Sequence, residues 1–108
     1  FISAKKVTMA KRASELSVDI TQQAYKNLPD NKVVLGAAKL AKAYDFLVTA
    51  YQYGTAGKTT EANQYAQQAI SKATEAWNSN NDIQPIAKHI KDGANEIISG
   101  LKAKTTTK

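Results

Sequence analysis

A chain of 108 residues is about one domain, large enough to bury a core without staples. It has no cysteine, which excludes disulfides, iron-sulfur clusters, thiolate zinc sites and thiol nucleophiles, and no uncharged apolar run of membrane-spanning length, so it reads as soluble. Fifteen basic against nine acidic side chains give a net charge of +6, which favours anionic partners such as nucleic acid, acidic lipid or an acidic protein surface; Arg12 is the only arginine, so bidentate base and phosphate recognition is thinly served. The first residue is Phe1 rather than methionine, the start that removal of a signal peptide would leave, and a periplasmic or secreted location is the corresponding expectation.

In chain order, residues 4–28 read as a half-buried helix with Met9, Ala13, Leu16, Ile20, Ala24 and Leu28 on its buried face and Thr8, Arg12, Glu15, Asp19, Gln22 and Lys26 opposite. Pro29 stops it, and Asp30 is positioned to cap the next helix. That second helix, 31–53, is apolar or small around most of its circumference, with Lys32, Lys39, Lys42, Thr49 and Gln52 on one narrow polar line. Val33, Ala37, Leu40, Tyr44, Leu47 and Tyr51 recur on its main packing face. Val34, Ala38, Ala41 and Val48 form a surplus patch expected to serve a homo-oligomer or partner contact.

Gly54 marks the end of the second helix, and Thr59 or Thr60 is the expected cap of the third, residues 60–79. There Ala62, Ala66, Ala69, Ala73 and Ala76 form a small-residue stripe that lets a neighbouring backbone approach closely. Asp82 is the expected cap of the fourth helix, 83–101, whose buried face is Ile86, Ile90, Ala94, Ile97 and Leu101. Short turns between four helices predict an all-α, four-helix up-down-up-down bundle spanning residues 1–101, followed by a frayed, flexible basic tail, 102–108.

No residue set has the spacing of a known catalytic, metal or phosphate site. Gly57, Lys58 and Thr59 match the end of a phosphate-binding loop, but the glycine required five positions earlier is Gln52. The spacing of Phe46, Ala50, Tyr53, Gly57, Ala62 and Ala69 resembles one tetratricopeptide hairpin, an array that needs at least three copies, and no further copy is found. Met9 in helix one and His89 in helix four resemble the haem-ligand layout of the cytochrome b562 bundles; the resemblance would make these two the cofactor ligands. Helical rise, however, sets His89 about 20 to 30 Å from the end of its helix, towards the pole opposite Met9. No cofactor and no enzymatic activity are therefore expected. A bundle carrying a haem-like or apolar ligand is the alternative function.

The preferred reading is a non-enzymatic helical binding protein with a macromolecular partner, in the first place a protein. Alternating topology brings the start of helix one, the second turn and the end of helix four to one pole. Lys5, Lys6, Lys11, Arg12, Lys58, Lys102, Lys104 and Lys108 gather there as the candidate contact for an anionic surface or nucleic acid.

Overall fold

The computed structural model describes residues 4–79 and 83–106, with side chains placed over 9–78 and 83–100. It consists of four helices, α1 (Ala4–Asn27), α2 (Lys32–Thr55), α3 (Thr59–Ser79) and α4 (Gln84–Thr106), with no strand among the described residues. The fourth helix continues past the expected end at Leu101, because Lys102, Ala103 and Lys104 are good helix formers that need no buried face to stay helical.

Helix ends follow from local chemistry. The Asn31 side chain accepts from the Val33 and Val34 amides at 3.0 and 3.2 Å, so Asn31 rather than Asp30 caps α2. Asp30 instead lies in the Pro29 turn. At the other end the Lys58 amide donates to the Tyr53 carbonyl at 2.9 Å and the Gly57 amide to the Gly54 carbonyl at 3.2 Å, with Gly57 at φ 79°. These are the two bonds of a Schellman cap, and they explain why α2 ends beyond Gly54. α3 then begins at Thr59, with the Lys58 carbonyl accepting from the Ala62 amide; both threonines lie inside the first turn. Asp82, the expected cap of α4, lies outside the described residues. Gly57→Ala forces a side chain into left-handed backbone and is expected to lower stability by about 1 kcal/mol in a denaturant melt.

Cross-helix contacts fix the topology. Lys11 meets Asp45 and Lys39 meets Glu75, so α1 and α3 run antiparallel to α2. The Leu47 methyl groups lie 3.4 and 3.5 Å from where a Cβ on Gly93 would stand, and Tyr51 feels the charge of Glu96, so α4 runs parallel to α2. The result is the expected up-down-up-down bundle, 50 × 26 × 19 Å, the short dimension being about two helix diameters. All five alanines of the α3 stripe are fully buried. α2 is the shared neighbour of the other three helices, and α3 packs on α4, whereas α1 packs substantially on α2 alone.

The structure rotates α1 away from its expected buried face, while Arg12, Glu15, Asp19 and Lys26 of the expected polar face stay exposed. Met9, Leu16, Ile20 and Leu28 are 62, 60, 59 and 53% exposed, whereas Ser14 is fully buried and Lys11, Val18, Thr21 and Tyr25 are half-buried. The cause lies in α2, which turns Ala38, Ala41, Val48, Thr49 and Asp45 towards α1. A carboxylate within a packed seam requires donors, and α1 supplies them from Lys11 and Ser14. Thr49, read as part of an exposed polar line, is therefore buried. Three of the four residues in the expected surplus patch, Ala38, Ala41 and Val48, are likewise buried by α1, and Val34 is half-buried. On α4, Ile86 is exposed and Ala87 takes its place in the core.

Candidate functional site

The seam between α1 and α2 is a closed polar network. Lys11 Nζ donates to Asp45 Oδ1 at 2.8 Å and to Thr49 Oγ1 at 2.7 Å, and the Thr49 hydroxyl donates to the Asp45 backbone carbonyl at 2.8 Å. The Ser14 hydroxyl lies between two acceptors, Asp45 Oδ1 at 2.7 Å and the Lys11 backbone carbonyl at 2.8 Å. No buried side-chain nitrogen or oxygen among the described residues lacks a partner, and the network ties α1 to α2 in register.

Because α1 does not close against α4, a groove runs between them over α2. It is open to solvent, has a volume of about 480 Å³, and is floored by Ala37, Leu40, Ala41, Tyr44 and Leu47. Ser17 and Thr21 form its α1 wall, and Ile86, His89 and Ile90 its α4 wall. Successive helical residues advance about 100°, so Ala24, Ala13, Ile20, Met9 and Leu16 follow Ser17 and Thr21 around α1, away from α2. The uncovered stripe of α1 is therefore continuous with the groove. Seven large apolar side chains, Met9, Leu16, Ile20, Leu28, Val33, Tyr44 and Ile86, are each at least 40% exposed, and all lie on this face or at its end. Periodicity detected the stripe on α1 but assigned it to the core. The residues that decide otherwise, Asp45 with Lys11 and Ser14, are 34 and 31 positions apart and give no local signal.

The other predicted site residues are distributed as follows. Arg12 is exposed and forms no ion pair with a described residue, whereas the charge of Lys11 is neutralised by Asp45. Lys58 sits 5.9 Å over the Tyr53 ring, and Tyr53 stacks on Tyr65 at 5.3 Å, with Phe46 at 6.1 Å from Tyr65. These rings anchor the α2–α3 turn, so the segment Gly57, Lys58 and Thr59 is part of a helix cap. Lys5, Lys6, Lys102 and Lys104 lie on the ends of α1 and α4 at this same pole; their side chains and all of Lys108 fall outside the described residues. Met9 points outward from α1 and does not line the groove that His89 borders. Among the described residues no group of acids and histidines is arranged to hold a metal, and no helix is long and apolar enough to cross a membrane. The hydroxyl of Tyr51 has its pKa raised, first by burial and then by the Glu96 charge. Comparison with known protein families, curated proteins and solved structures finds no match.

Proposed function

We propose that the chain is a non-enzymatic helical interaction module that binds a protein surface through the apolar face shared by α1, α2 and α4. The observation that carries this reading is the exposure of Met9, Leu16 and Ile20 on a helix that turns Lys11, Ser14, Val18, Thr21 and Tyr25 towards its neighbour instead. An apolar patch on a typical monomer reaches roughly 300 to 600 Å², and a larger one marks an interaction site. Seven half-exposed large side chains reach that scale. A groove open along its length would leave much of a small apolar ligand in water, whereas a protein surface covers the groove and the α1 stripe together. The cations at the basic pole, with Arg12 and Lys58 foremost, add long-range attraction for an acidic partner, screened beyond about 8 Å at physiological salt.

The test uses the intact chain as bait in an extract of the source organism, beside a Leu16→Glu/Ile20→Glu double variant. Both positions are solvent-exposed, so the fold is retained, as circular dichroism will verify. Proteins held by the parent and lost by the variant are the expected result. Identical retention would remove the apolar face from the interaction.

A further inference from the structure

Resting on that reading, we infer that the protein surface fitting this face is a second copy of the same chain. α1 of each copy lies in the groove of the other, about a two-fold axis parallel to the helices. The groove is the helix position left vacant beside α1, α2 and α4, and the same face carries an unpartnered apolar helix, so socket and plug are adjacent on one surface. That adjacency is the requirement for an isologous interface. Seated there, the second α1 runs antiparallel to α2 and α4, as the first does to α2, with helix dipoles opposed.

A two-fold parallel to the helices leaves no freedom of register, so each residue meets the groove at its own level. The short Ser14 side chain sets α1 against Asp45, and Leu47 sets α2 against Gly93. Ile20 of one copy then meets the small floor residues Ala37 and Ala41 of the other, and Ala13 meets the bulky Tyr44, so large lies opposite small. Arg12, which forms no ion pair with a described residue, comes level with Gly93 and faces the exposed Glu96 carboxylate of the second copy one turn further on. The seven exposed side chains together offer area on the scale of the roughly 800 Å² per partner that a stable interface buries.

The experiment is sedimentation equilibrium over a concentration series at physiological salt, where the +6 charges of two copies are largely screened. The parent is expected to be a dimer. Ile20→Glu, which places a charge against the groove floor, raises the dissociation constant about a hundredfold or more without unfolding the monomer. Arg12→Glu weakens the dimer about tenfold, and adding Glu96→Arg restores it. Ser17 lies on the α1 wall and meets its own copy across the axis, so Ser17→Cys in this cysteine-free chain forms a disulfide-linked dimer in mild oxidant. A parent that stays monomeric throughout the series overturns the inference. So does a dimer that tolerates Ile20→Glu, or one that neither cross-links through Ser17→Cys nor recovers with the charge swap. A monomeric parent whose protein capture still depends on Leu16 and Ile20 would overturn only the second copy and leave the interaction face intact.

Discussion

Leu47→Ala is expected to lower the unfolding free energy by about 2 to 5 kcal/mol, read from the midpoint of a urea melt. The central cluster is built mainly of alanines, Ala43, Ala50, Ala66, Ala69, Ala73, Ala87 and Ala94, with Leu47 and Ile90 as its two large buried side chains. Alanine cannot extend into a hole, so the space left by Leu47 stays open and the lost contacts are not replaced. The neighbouring residue on α4 is Gly93, against which the Leu47 methyls pack at 3.4 and 3.5 Å. Gly93→Ala in the Leu47→Ala background therefore recovers part of the loss, by filling the gap and by raising helix propensity by about 1 kcal/mol. Leu40, which the sequence pattern places on the same face, is only half-buried and borders the groove; Leu40→Ala falls below Leu47→Ala. Equal losses for the two leucines would show that the groove is filled in the free protein.

Asp45→Ala is expected to cost about 2 to 3 kcal/mol, with the loss concentrated in the packing of α1. Its Oδ1 atom receives both the Lys11 ammonium and the Ser14 hydroxyl, so truncation removes two bonds to a charged acceptor beside a fully buried side chain; the Ser14 hydroxyl keeps only the Lys11 backbone carbonyl at 2.8 Å. The Lys11 side chain, 23% exposed, is less severely affected because its ammonium still reaches Thr49 and can turn towards solvent. Asp45→Asn keeps an acceptor oxygen for both donors and loses only the charge, so its cost is smaller. If Asp45→Ala proves as mild as an exposed substitution, the network does not hold α1 in its observed rotation.

The sequence made four helices and their alternating direction legible because the signals are local: Pro29, the Gly54 to Gly57 turn, and apolar residues at helical spacing. The alanine stripe of α3 was readable for the same reason, since five alanines on one face have no use on a solvated surface. The rotation of α1 was not readable. Its hydrophobic pattern points one way, and the pairing of Lys11 and Ser14 with Asp45 pulls it the other. The single carboxylate of α2 was the available clue, and only three-dimensional proximity reveals which donors answer it. The groove depends on that rotation, and so the site was hidden along with it. The cap at Asn31 was missed by one position, because Asp30 and Asn31 are both good caps and only the turn geometry separates them.

The unequal fastening of the helices has a consequence for how the molecule comes apart. α2 and α3 approach through fully buried alanines, and α4 closes on both, giving a three-helix kernel held by apolar contact that water penetrates only when the whole kernel opens. α1 packs substantially on α2 alone, through a seam whose centre is polar, and water can replace those bonds one by one. Its separation would uncover Ala38, Ala41 and Val48 while the contacts among α2, α3 and α4 stay made. The chain therefore has two grades of cooperativity. Its first helix is an arm whose release is a smaller event than unfolding, and any partner that grips its outer stripe stiffens the least constrained part of the fold.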